Sequence, residues 1–555
     1  MLCKKCTCII RDLLRDPDKE FSKTYYNYHA GISSSNVIAG GCEMCKVLVP
    51  PRYRSLSRIH EFTEKDHKVE VRKLDTTRLL KIQDSSVRLV LPAEENVSGP
   101  YAALSYCWGP NPSFLCLSAS NLQTLQDGIS HSTLPLAFQE AVRLLKTMGI
   151  GYLWIDALCI IQTGPGSQED WKAEAMKMQE VYSNCIVNLS LATAPNPDSS
   201  CLEYQQATGN RAVPPFQVQV NLDHGDNVDS EPEDWTIIPA SYYFEGIVNQ
   251  PLAKRAWVLQ ERLLAPRVVS LGRGELFWDC NQIPNASETF PSGGLVGPNN
   301  LPLAIKSISM NADYQELESI SWTIIGEYSD RSLTYPEKDK LIAFSAIAAK
   351  MSQAMNDVYI AGHFWKALPR TLTWMARDYK SLDPGRRRIL GQIGGEGRER
   401  ENLIPTWSWA SIDGPIDEGF HLDSKPFAAI AEAKSYEVTL PEGVHPYGQV
   451  VCASLIIEAF CMEMEWGTKQ FNDLLFAAAF DVLDERPIKG DSVLLAALAH
   501  SISPLNGIIQ GLILVKKGAA GEEKYARIGL FVIRLVDNRS FARWFEQEKR
   551  TLTLV

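Results

Sequence analysis

Gly151-Tyr-Leu-Trp-Ile-Asp156, the segment Ser167 to Asn184, and Cys185-Ile-Val-Asn-Leu-Ser-Leu-Ala192 follow one another along the chain, and their reading decides the fold. The first is a short apolar block that ends on an aspartate, as a buried strand does. A Gly/Pro/Ser loop at Thr163 to Ser167 breaks the run, and the period then changes. Trp171, Ala175, Met178 and Tyr182 recur at helical spacing and form one apolar stripe. The third segment returns to a continuous apolar run. Strand, helix and strand in this order argue for a sheet flanked by helices.

The same alternation extends outward. Upstream, Tyr101-Ala-Ala-Leu-Ser-Tyr106 reads as a buried strand. It is followed by a helix that opens near Pro135, carries Phe138, Val142, Leu145 and Met148 on one face, and stops at Gly149. Downstream, Pro195 to Asp234 is polar and Pro-rich and reads as an inserted loop or lid. Ala256 to Leu264 reads as a helix and Val268 to Cys280 as strand. This gives an α/β unit at 91–290. An N-terminal cysteine-containing region precedes it at 1–90, and a C-terminal unit at 300–555 is expected to pack on it. In the C-terminal unit, helical patterns at Asp339 to Met351 and Phe364 to Met375 precede a glycine-rich, charged break at Gly385 to Glu401. Strand-like runs then follow at Val450 to Ile457, Gly507 to Val515 and Ile528 to Ile533. No repeat of solenoid period is present.

With 45% apolar and 22% charged residues, the chain has the balance of a folded globular protein and not of a disordered or fibrous one. A net charge of -11 opposes non-specific attraction to nucleic acid or anionic lipid, so no nucleic-acid partner is expected. The basic run Gly385-Arg386-Arg387-Arg388 reads as a solvated loop. No apolar stretch reaches the roughly 18 residues that span a bilayer, and no signal-peptide pattern opens the chain. Thirteen cysteines, an odd number with several inside apolar runs, fit reduced thiols in a cytoplasmic protein. Cys3/Cys6 and Cys42/Cys45 are two Cys-x-x-Cys pairs with zinc-ligand spacing, and His29 or Cys8 is a substitute ligand. The gap between the pairs is longer than in compact zinc modules, so plain reduced cysteines are the favoured reading.

Several motifs together carry a family resemblance. Tyr101-Ala-Ala-Leu-Ser-Tyr-Cys-Trp-Gly109 resembles the opening block of the fungal heterokaryon incompatibility (HET) domain, and Leu153-Trp-Ile-Asp-Ala-Leu-Cys-Ile-Ile-Gln162 its second. Asp170-Trp171 with Glu174, Met178 and Val181-Tyr182 resembles the third, and Arg255-Ala-Trp-Val-Leu-Gln-Glu-Arg262 the fourth. Leu333-Thr-Tyr335, Asp339-Lys-Leu-Ile-Ala343, Tyr359-Ile-Ala-Gly362 and Pro405-Thr-Trp-Ser-Trp-Ala410 continue the series in the order found in that family.

The resemblance implies a flavodoxin-like or TIR-like parallel sheet with helices on both faces, and a site at the carboxyl ends of its strands. It also implies a role in self/non-self recognition and regulated cell death, exerted through a protein partner or self-association. Ser105, Tyr106, Trp108, Gly109, Asp156, Gln162 and Trp257 are the ligand-binding candidates. Some TIR domains cleave NAD with a glutamate in a Trp-x-x-x-Glu segment. Trp257-Val-Leu-Gln-Glu261 has that spacing, which makes Glu261 the catalytic candidate and NAD a substrate, with no resident cofactor required. The leaving nicotinamide is already cationic, so the chemistry calls for a carboxylate beside an oxocarbenium ion and not for a strong acid.

Plainer readings stand beside these. Arg255, Arg262 and Arg267 offer Glu261 an ion-pair network, the tryptophans suit a core, and Asp156 suits a loop cap. A non-enzymatic scaffold, or an accessory or small-molecule-converting protein of a fungal biosynthetic gene cluster, are the alternative functions.

Overall fold

The computed structural model describes residues 76–202 apart from 96 and 98, the backbone of 216–220 and 233–237, and then 242–280, 285–288, 312–377, 387–389, 404–419, 428–441, 446–468, 477–502, 507–517, 521–535, 546 and 548–555. Cys3, Cys6, Cys42 and Cys45 lie outside the described residues.

Nine short strands form the N-terminal sheet: Leu79–Ile82 (β1), Ser86–Val90 (β2), Tyr101–Ser105 (β3), Ile129–Ser130 (β4), Tyr152–Trp154 (β5), Val187–Ser190 (β6), Arg267–Leu271 (β7), Leu276–Cys280 (β8) and Ala286–Ser287 (β9). Their order across the sheet is β9-β8-β7-β6-β3-β5-β1-β2-β4. The four central strands, β5, β3, β6 and β7, are parallel. The outer pairings are antiparallel, so the sheet is mixed and not the purely parallel one expected. The predicted strand Val268 to Cys280 is a hairpin, β7–β8, because the run is interrupted at Gly272 and Gly274 and folds back on itself.

The connections explain why the centre is parallel. Leu136–Thr147 (α1) carries the chain from β3 to β5, and Ser167–Asn184 (α3) carries it from β5 back past β3 to β6. Between β5 and α3 lies a single turn, Asp156–Cys159 (α2). Right-handed crossovers running in opposite directions put α1 and α3 on opposite faces. Every residue of β3 and β6 is accordingly buried, as in sheets covered on both sides. Ala256–Leu264 (α4) packs on α3.

In the C-terminal region, Tyr314–Ser329 (α5) and Ile342–Met355 (α6) pack on one another and on α4. Helix α4 is shared between two cores. Ala256, Leu259 and Leu263 belong to the core of the C-terminal region, Leu264 belongs to that of the sheet, and Trp257 packs against both. Phe364 to Met375 is not the helix its pattern suggests. It holds two short 3-10 turns, Trp365–Ala367 and Arg370–Thr373, interrupted at Pro369, which has no N–H to continue a helix.

The last part is β-rich, as read: Glu432–Thr439 (β10), Cys452–Glu465 (β11), Ala477–Phe480 (β12), Ser492–Ile502 (β13), Gly507–Lys516 (β14), Lys524–Leu535 (β15) and Lys549–Leu554 (β16). β11 pairs with β16 along one stretch and with β13 along the next, and β13, β14, β15 and β16 pair in turn, so five strands close into a ring. Closure removes the unpaired edges that an open sheet of this apolarity would present.

Arg388, in the described part of the basic run at 385–388, is not in a solvated loop. Arg388 pairs in a short strand with Ile412, is buried, and bonds Asp481 and Glu485. Arg527, wholly buried, shares Asp481, donates to the Leu372 carbonyl at 2.7 Å and lies over the Trp374 ring at 3.3 Å. Trp407 and Trp409 are buried in the core of the C-terminal region.

Candidate active site

The chain leaves β3 toward β5 on one side and leaves β6 toward β7 on the other. The carboxyl ends of β3 and β6 therefore border a topological switch point, the place where open α/β sheets take ligands. Ser105 ends β3 and lies in register with Ser190, which ends β6. Asn188 is opposite Ala103, two residues back, so it shares a face with Ser105.

Helix α4 lays Glu261 onto that face. Ser105 Oγ donates a short hydrogen bond to the Glu261 carboxyl and sits 2.9 Å from Asn188 Nδ2 and 3.1 Å from Asn188 Oδ1. The Tyr182 hydroxyl, 3.3 Å from the Leu104 carbonyl, is a further hydrogen-bonding partner of Glu261. Glu261 is 8% exposed, and Ser105 and Asn188 are at most 1% exposed. Burial pushes the Glu261 carboxyl up to about 7, against the hydrogen bond from Ser105 and the positive field of Arg255.

Among the described residues no arginine forms an ion pair with this carboxyl. Arg255 Nη1 donates to the Tyr106 carbonyl at 2.9 Å, Arg262 faces Asp279 and the Tyr243 hydroxyl, and Arg267 donates to the Ile186 carbonyl. Among the described residues Glu261 forms no ion pair, so the network its neighbours offered is spent elsewhere. Glu261 is a buried carboxyl held by neutral donors, able to exist in both protonation states near pH 7.

A second group gathers around Asp156. This residue opens α2 directly after β5 and accepts from Tyr106 Oη at 2.6 Å, Trp108 Nε1 at 2.9 Å and its neighbour Ala157 N at 2.7 Å. The two aromatic rings stack at 6.4 Å with planes 15° apart, and Phe114 and Phe138 close around them edge-on. Gln162 donates to the Asp156 and Ile160 carbonyls at 3.0 and 3.2 Å and fixes the chain after α2. Gly109 ends the aromatic segment at φ +79°, and a Cβ there would lie 2.9 Å from Asn196 Cβ. Asp156 is thus an orienting group for an aromatic plate.

The structure brings Ser105 and Glu261 together, and Tyr106, Trp108, Asp156 and Gln162 together beside them. Trp257 faces elsewhere in its bonding: it hydrogen-bonds Asp339 of the C-terminal region. Cys159 is buried and its thiol is pushed up to about 12, which leaves it inert. Asn188 joins the site without having been singled out, and Tyr182, read as part of an apolar stripe and a family motif, joins it as a hydrogen-bonding group. The available signal was an amide set inside the apolar run Ile186-Val-Asn-Leu-Ser-Leu191, where a buried polar group needs a partner.

Residues 101–261 match the family model described as Heterokaryon incompatibility protein (HET), a span that contains Ser105, Asp156, Tyr182, Asn188 and Glu261. No curated protein and no solved structure matches the chain. Among the described residues no helix is long and apolar enough to cross a membrane.

Proposed function

We propose that this chain, which carries a HET domain over residues 101–261, acts in fungal self/non-self recognition and regulated cell death by cleaving NAD between ribose and nicotinamide. The observation that carries the reading is Glu261, a buried carboxyl with no ion-pair partner among the described residues, bonded to Ser105 at the switch point of the sheet. A structural carboxylate is expected to sit in an ion pair or in water, and this one sits in neither. The order of the four parallel strands, second-first-third-fourth, is that of the first four strands of a flavodoxin-like sheet and supports the TIR-like reading.

In this reading the C1′–N1 bond breaks and its electron pair stays on the nicotinamide nitrogen, neutralising the pyridinium. Ionised Glu261 stabilises the oxocarbenium ion and takes the proton of the water that adds to C1′. The aromatic plate of Tyr106 and Trp108 supplies a stacking surface for a flat ring. Because Glu261 is 8% exposed, ligand entry must shift the chain that covers it. The toxic state is a self-associated one in a cytoplasmic protein, triggered by a protein partner.

The test is release of free nicotinamide from NAD by the purified chain at high local concentration. Turnover in the wild type that vanishes in Glu261→Gln, with both proteins folded, supports the reading. Equal turnover in both, or none in either, overturns it.

A further inference from the structure

Asn188 is an amide inside a buried parallel strand, and its side chain reaches one group, the Ser105 hydroxyl, with both of its ends. Nδ2 is 2.9 Å from Ser105 Oγ and Oδ1 is 3.1 Å from it. Ser105 has a single hydroxyl proton, so it cannot donate to Asn188 Oδ1 and to Glu261 at once. When Glu261 is ionised it can only accept; Ser105 donates to it, and Asn188 must donate to Ser105 through N–H. When Glu261 is protonated it can donate to Ser105 Oγ, and the Ser105 proton is then free to point at Asn188 Oδ1. A carboxylate at this position could only accept from Ser105, and an apolar residue could do neither.

We propose that Asn188 is a positioning residue for Glu261, a reversible end-stop that lets the Asn188–Ser105–Glu261 relay change direction so that both protonation states of Glu261 remain fully hydrogen-bonded. A catalytic carboxyl that must be ionised to act and then takes up a proton needs this property in a buried site, because an orphaned buried polar group is strongly disfavoured. The relay deepens the NAD-cleavage reading, on which its catalytic meaning rests; the hydrogen-bond reversal stands on the Asn188–Ser105–Glu261 contacts together with the upward push that burial gives the Glu261 carboxyl. The other charged or titratable groups acting on Glu261 are Arg255 at the start of α4, Asp156 on α2, Tyr182 on α3 and Cys107 after β3. Arg255 favours its ionised form and Asp156 its neutral form.

The test is isotope-edited infrared difference spectroscopy of the full chain across pH 5 to 9, which requires no turnover. The Glu261 carboxyl band is assigned by its loss in Glu261→Gln, and the Asn188 amide carbonyl band by its loss in Asn188→Leu. The expected result is that the Asn188 band shifts with the same midpoint as Glu261 in the wild type and becomes pH-independent in Ser105→Ala, while Glu261 still titrates. An Asn188 band that never moves overturns the relay. One that still moves in Ser105→Ala also overturns it, because the coupling is then a through-space field. Failure of nicotinamide release would remove the NAD reading and leave this outcome to be judged by itself.

Discussion

At the scale of single residues, a raised carboxyl has a thermodynamic cost that can be measured. Glu261 binds its proton more tightly in the folded chain than in the unfolded one, where its ordinary value is 4.5, so between that pH and about 7 the native state holds the extra proton. Stability contributed by this group is full below about 4.5 and is lost as pH rises through about 7. Glu261→Gln should therefore be more stable than the wild type at pH 8, by up to about 3 kcal/mol, with the difference vanishing toward pH 4.5. Chemical denaturation at the two pH values checks this. A variant that loses stability at pH 8 would mark Glu261 as a structural carboxylate. Such a cost is what a functional residue imposes on a fold. Glu261 enters as a candidate through the likeness of Trp257-Val-Leu-Gln-Glu261 to the Trp-x-x-x-Glu segment of some TIR domains. That the indole bonds Asp339 was not legible, because its partner lies 82 positions away and only packing of α6 and its neighbours on α4 brings it there.

At the scale of elements, long periodic segments were readable and interruptions were not. α1 and α3 lie where Phe138 to Met148 and Trp171 to Tyr182 set them, because each has one apolar stripe and a clear stop. The hairpin β7–β8 and the broken stretch 364–375 were misread because apolar content alone does not reveal a chain reversal. The turn after β3 is more informative. Gly109 adopts φ +79° with Asn196 Cβ 2.9 Å from where a Cβ would stand, so Gly109→Ala is strained in backbone and in space. It should cost about 1–3 kcal/mol and displace Trp108 from Asp156, read as a drop in melting temperature and a change in tryptophan fluorescence. Trp257→Phe should cost about 1 kcal/mol by removing the bond to Asp339 while keeping most of the packing.

At the scale of the whole molecule, α4 belongs to two cores at once, so the C-terminal region bears on the helix that presents Glu261. Breaking the buried Arg527–Asp481–Arg388 cluster by Asp481→Asn leaves the wholly buried Arg527 guanidinium short of its counter-charge, while Arg388 keeps Glu485. This should destabilise the chain by about 3–5 kcal/mol in denaturant titration. The division into an α/β half and a β-rich half was visible in the change of pattern along the sequence. The closed ring was not, since the pairing of β11 with both β13 and β16 depends on contacts that no local pattern encodes. Whether ionised Glu261 cleaves NAD at the switch point of the sheet is read from nicotinamide release measured against pH in the wild type and in Glu261→Gln. The expected wild-type rate rises with pH through about 7, where Glu261 ionises, and the folded variant releases none at any pH. Release by the variant at the wild-type rate, or no release by either folded protein, would contradict that role of Glu261.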